Sequence, residues 1–173
     1  MSAKVLMGVD EYLKTSFDDG DCEYLDGEVV ERNMGEMPHA DVQYTLGRLL
    51  WPFRRRFGIR ILPEIRTRIS PTRYRIPDLA VYRNDNIGDR IPTVPPFLAI
   101  EILSPEDRMA RIRRVVDDYI ALGVPVVWIL DPLEKRAYVA DAESGLRDVV
   151  SGILEAAHVS LTTDEVFSEE ELF

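Results

Sequence analysis

Ile76-Pro77-Asp78-Leu79-Ala80-Val81-Tyr82 and Phe97-Leu98-Ala99-Ile100-Glu101-Ile102-Leu103 are two strand-like runs, each with one acid where a packed sheet calls for an apolar residue. Burying an ionised carboxylate without a partner costs several kcal/mol, so each acid needs a cation, a proton or a strong hydrogen-bond donor beside it. Side chains alternate across a strand, so Asp78 shares its face with Ala80 and Tyr82, and Glu101 shares its face with Ala99 and Leu103. The small alanines leave room for an ion and its waters. Two such acids on adjacent strands point to a shared divalent metal, Mg²⁺ (or Mn²⁺), held by Asp78, Glu101 and the backbone carbonyl of Ile102. An ion placed there would polarise a phosphodiester and lower the pKa of an attacking water.

Upstream of this pair, residues 10–16 read as a short helix, and Asp26-Gly27 between two alternating runs reads as the turn of a hairpin over residues 22–32. Val42, Leu46, Leu49, Leu50, Phe53 and Phe57 recur at helical spacing over residues 39–57, with Pro38 at the entry, Gly58 at the exit and Pro52 as a possible kink. Residues 61–69 alternate and read as one strand with Glu64, Arg66 and Arg68 on a charged face; a turn at 70–72 leads to a second strand over 74–82. The loop at 84–96 is expected to face substrate, and 97–103 is expected to be a buried central strand.

Downstream, residues 107–122 read as a helix with Ile112, Val115, Val116, Tyr119 and Ile120 inward and Gly123 at its end. Strands follow at 124–130 and 136–140, then an acidic remainder with a weak strand near Ile153 and an acidic tail at 168–173. The order predicts an α/β sandwich with a central mixed β-sheet flanked by helices. Its strands at 97–103 and 124–130 should be parallel neighbours, because a crossover helix joins them.

A chain of 173 residues that is 46% apolar suits one core, and residues 1–173 are read as a single domain. One cysteine, Cys22, rules out an internal disulfide framework or a thiolate zinc cluster and points to a reducing, cytoplasmic setting. No run is long and apolar enough for a membrane helix. The net charge of −10 argues against a polyanionic partner until its distribution is read: residues 54–114 hold 14 arginines against 7 acids, while the rest holds 7 basic residues against 24 acids. The basic part is the part that contains Asp78 and Glu101.

Pro77-Asp78 followed by Glu101-Ile102-Leu103-Ser104-Pro105, with Tyr24-Leu25-Asp26-Gly27-Glu28 upstream and Val127-Trp128-Ile129-Leu130-Asp131-Pro132 downstream, resembles the Uma2 family of the PD-(D/E)XK nuclease-like superfamily. The resemblance runs over residues 10–140 and implies a restriction-endonuclease-like fold, a divalent metal and hydrolysis of DNA phosphodiesters. It also implies a role for His39, at a position where the family often has a histidine. The chain departs from the pattern at the motif lysine: Leu103 fills the superfamily slot and Val115 the slot on the following helix. Loss of one such electrostatic donor is worth on the order of 10²–10³ in rate.

Arg108 and Arg111 precede Val115 by seven and four residues, on roughly one helical face, and are candidates to reach the phosphate. Glu28 and Glu64 are further acids that could point into the same pocket. Two rival readings stay open. One is a catalytically degenerate nucleic-acid binder. The other is an interaction protein whose acids pair with Arg66, Arg68 or Arg108. A homodimer is expected under each.

Overall fold

A computed structural model describes residues 6–18, 20–33, 35–83, 85, 87–88 and 90–168. The acidic tail beyond residue 168 and positions 84, 86 and 89 of the expected substrate loop lie outside the described residues.

The chain opens with α1 (Val9–Lys14) and the hairpin β1 (Cys22–Leu25) and β2 (Glu28–Glu31). Asp26 and Gly27 both have positive φ, as a tight two-residue connection requires. The helix α2 (Met37–Phe57) carries Pro38 in its first turn and ends where Gly58 turns left-handed at φ 60°. Its apolar face, Val42, Leu46 and Leu50, is buried.

The expected strand at 61–69 is instead two: β3 (Ile59–Pro63) and β4 (Thr67–Ser70). The strand expected at 74–82 likewise divides into β5 (Arg73–Arg75) and β6 (Leu79–Arg83). The physical cause is local. Pro63 and Pro77 lack the N–H that a ladder needs, and Glu64 takes φ 48°, so the chain leaves one sheet and enters another at both places. β4 and β5 join the hairpin in a sheet of order β2-β1-β5-β4, whereas β3 and β6 belong to the main sheet.

The main sheet adds β7 (Leu98–Ile102), β8 (Val126–Asp131), β9 (Arg136–Asp141) and β10 (Gly145–Asp148), in the order β10-β9-β8-β7-β6-β3. β7 and β8 pair in parallel through the crossover helix α3 (Met109–Leu122), and the other neighbours pair antiparallel, so the sheet is mixed as expected. A further hairpin, β11 (Ile153–Ala156) and β12 (Val159–Thr162), and a short α4 (Thr163–Val166) close the described chain.

Strand alternation divides the core into two layers. Leu98, Ile100, Ile102, Trp128 and Leu130 meet Val42, Leu46 and Leu50 of α2 on one face. Ala99, Val127, Ile129 and Ala140 meet Ile112, Val115, Val116 and Tyr119 of α3 on the other. This is the helix-flanked sandwich that the sequence predicts. Among the described residues no helix is long and apolar enough to cross a membrane.

Candidate active site

The register Leu79↔Ile100 and Ala80↔Ala99 brings the N-terminal end of β6 beside the C-terminal end of β7. One step further along this antiparallel ladder, Asp78 and Glu101 become neighbours on the α3 side of the sheet. Pro77 has interrupted the ladder just before, so the Asp78 side chain is free to take a backbone donor: the Ile102 N–H donates to Asp78 Oδ2 at 2.6 Å. The expected juxtaposition of Asp78, Glu101 and the Ile102 backbone is therefore present in the fold.

Two basic side chains converge on the other carboxylate oxygen. Arg32 Nη2 donates to Asp78 Oδ1 at 2.5 Å, and His39 Nε2 lies 3.3 Å from the same oxygen. His39 reaches it from the first turn of α2 and Arg32 from the residue after β2. On the far side, Gln43 of α2 donates to the Asp78 carbonyl at 3.1 Å and to Glu64 at 3.4 Å. Glu64 thus lies beside the site, held by the same left-handed turn that separates β3 from β4.

Glu101 is 7% exposed and takes a hydrogen bond of 2.5 Å from the Tyr119 hydroxyl, one helix away. Burial, followed by the charges of Asp78 and Glu23, pushes its pKa up to about 8; the Tyr119 bond and Arg32 act in the opposite direction. Tyr119 is itself held well above the ordinary phenol value, by burial and then by the Glu101 charge, and stays a donor. Burial works against the Arg32 charge, but Asp78, Glu101, Glu64 and Glu23 outweigh it and keep the guanidinium above its usual value.

Glu23 is a buried acid that sequence reasoning missed. It accepts from Arg75 at 2.6 Å and from the Ile76 N–H at 3.4 Å, and Arg75 in turn binds Asp118 of α3 at 2.8 Å through Nε. This network braces the strand just ahead of Asp78. Its signal was available in Cys22-Glu23-Tyr24, an acid between residues that prove to be buried, as with Glu101. Arg32 offered no such signal, since it follows the hairpin as one exposed-looking cation among many.

The remaining candidates divide. Arg111 pairs with Asp107 at 2.9 Å and stands 3.9 Å from Glu23, at the margin of the cluster. Arg108 is an exposed residue at the N-cap of α3, and among the described residues no ion pair joins it to Asp78 or Glu101. Arg66 does not pair with the acids either: it lies over the Tyr12 ring and donates to the Leu13 and Thr15 carbonyls. Glu28 sits at the turn end of its hairpin, opposite Leu25. Val115, the position of the missing lysine, is fully buried in the core under α3.

The family model of Uma2, described as "Putative restriction endonuclease", matches residues 9–167. The crystal structure of "a putative nuclease belonging to DUF820" from Anabaena variabilis superposes with a TM-score of 0.79 at 20% sequence identity, covering 94% of this chain and 98% of that one. At that identity the likeness is one of fold. No curated protein matches the chain.

Proposed function

Because this chain belongs to the Uma2 family, we propose that it is a metal-dependent endonuclease hydrolysing phosphodiester bonds in DNA at the Asp78–Glu101 cluster. The observation that carries this reading is the meeting of two buried carboxylates on one sheet face, with the Ile102 backbone tied to one of them.

The donor set fits a small hard cation. Among the described residues no three His, Cys, Asp or Glu side chains form a metal cluster, so an ion would rely on Asp78, Glu101, the Ile102 carbonyl and waters. Mg²⁺ and Mn²⁺ suit such an oxygen-only, largely hydrated site. Burial first, and then the charges of Asp78 and Glu23, lift the Glu101 pKa, and a divalent cation beside the carboxylate would offset both. When bound, the ion would act as a Lewis acid and generate a nucleophilic water near neutral pH.

The chain's own residues supply the rest. The Ile102 N–H fixes the Asp78 carboxylate, and Tyr119 orients Glu101. His39 Nε2, beside Asp78 Oδ1, is the group proposed to hold a water or a phosphate oxygen. Arg32 and Arg111 provide positive charge for the scissile phosphate where the motif lysine is missing. The reading includes a homodimer, because cutting both strands of a duplex takes two sites, and a cytoplasmic setting.

A second reading, a catalytically degenerate nucleic-acid binder, is favoured by Arg32, whose guanidinium already neutralises Asp78. Nicking of supercoiled plasmid with Mg²⁺ or Mn²⁺ separates the two. The nuclease nicks, and Asp78→Asn and Glu101→Gln, which keep shape and remove charge, do not. A folded native protein that shifts plasmid in a salt-sensitive manner without nicking it under either ion is the degenerate binder.

A further inference from the structure

The outer face of α2 carries three large exposed side chains at seven-residue intervals: Met37 at 77% exposure, Tyr44 at 64% and Trp51 at 60%. They lie opposite the buried Val42, Leu46 and Leu50, so the core does not explain them. Between them the helix is low. Ala40 and Gly47 repeat at the same interval, and nothing stands within 4 Å of where a Cβ on Gly47 would sit. A groove of about 690 Å³ runs alongside, walled by Gly47, Trp51, Ile61 and Pro63. Bulky residues alternating with small ones every seven positions form the seam of a packed helix pair.

The charges on this helix say which partner fits. Acids occupy the first part of the exposed face, Glu36 and Asp41, and cations the last part, Arg48, Arg54 and Arg55. Among the described residues none of Glu36, Asp41, Arg48 and Arg55 has a side-chain partner, and Arg54 only covers the Trp51 ring at 4.8 Å. An antiparallel copy of the same helix, related by a two-fold axis near Tyr44, places Asp41 against Arg48 and Glu36 against Arg54, with Met37 against Trp51. These pairings share one centre to within a residue: 36 with 54, 41 with 48 and 37 with 51. The face is therefore self-complementary in charge and in shape, as an isologous interface must be.

We propose that α2 is the homodimer interface of this protein, with a second copy of the chain packed antiparallel on the Met37–Tyr44–Trp51 stripe. The inference does not depend on chemistry at Asp78. Its test is a charge swap read by sedimentation equilibrium on the full chain, with circular dichroism and melting to verify folding; all the altered residues are exposed. The native protein sediments as two chains at micromolar concentration. Asp41→Arg and Arg48→Asp each weaken the dimer at least tenfold by facing like charges across the axis, and the double variant D41R/R48D restores it. A native protein that stays monomeric overturns the proposal, as does a dimer indifferent to both single swaps. A monomer in which R48D and Trp51→Ala lose affinity for single-stranded oligonucleotide would overturn it too, and would assign the stripe to nucleic acid instead.

Discussion

Arg32 Nη2 and Asp78 Oδ1 are 2.5 Å apart in the fold and 46 residues apart in the sequence. The pair supplies the counter-charge that a nearly buried Asp78 requires, and it does so from the oxygen opposite the Ile102 N–H. A metal ion bound as proposed would therefore compete with this guanidinium for the same carboxylate.

Arg32→Met removes the competitor and leaves Asp78 with His39 and one backbone donor. Without metal the variant should be less stable than the native protein by about 3 kcal/mol in urea denaturation, the cost of breaking a buried pair from one side. With millimolar Mg²⁺ or Mn²⁺ it should gain more in melting temperature than the native protein does, since the ion then meets an unpaired charge. An equal gain in both proteins would show that Arg32 and the ion do not compete.

Glu101 sets a pH dependence of the metal-free protein. Its folded pKa, about 8, lies above the unfolded value of 4.5, so the folded state binds more protons between those values. The stability it contributes is full below about pH 4.5 and is lost as pH rises through 8, a change of a few kcal/mol. Glu101→Gln, which cannot ionise, should flatten that decline in denaturation curves collected from pH 5 to pH 9. Tyr119→Phe removes a bond that lowers the Glu101 pKa and should shift the decline to higher pH.

Arg75 joins Glu23 at 2.6 Å to Asp118 at 2.8 Å, all three buried. Arg75→Leu leaves buried Glu23 without its close cation and Asp118 with Arg73 alone, and should cost about 3 kcal/mol, on the order of other broken buried pairs. Adding Glu23→Gln and Asp118→Asn should recover much of that loss. Chemical denaturation of the single and triple variants reads both effects.

Restoring the motif lysine at its expected place should fail. Val115 is fully buried among Ile112, Val116 and Tyr119, and an ammonium there would lose its hydration without a partner. Val115→Lys should lower the melting temperature sharply and leave nicking activity no higher than native. A stable variant with increased nicking would mean that the lysine reaches the Asp78–Glu101 cluster from this position.

The sequence by itself determined what is local or periodic. The apolar run from Phe97 to Leu103 marked the central strand, the three- and four-residue spacing of Val42, Leu46 and Leu50 and of Ile112, Val115 and Tyr119 marked the flanking helices, and the crossover helix between Leu103 and Val124 fixed the parallel pair. Asp78 and Glu101 were legible because an acid in an apolar run is costly wherever the run is buried. The tertiary structure alone decided three things. Pro63 and Pro77 hand the chain from one sheet to the other, which alternation cannot reveal because the pattern runs on through both prolines. Arg32 comes to Asp78 and Glu23 to Arg75 only when the hairpin docks on the sheet, and a surface arginine and a paired one look alike along a chain. Arg108, grouped with Arg111 by helical spacing, is instead left exposed where α3 begins, because spacing along a helix gives the face and not the depth.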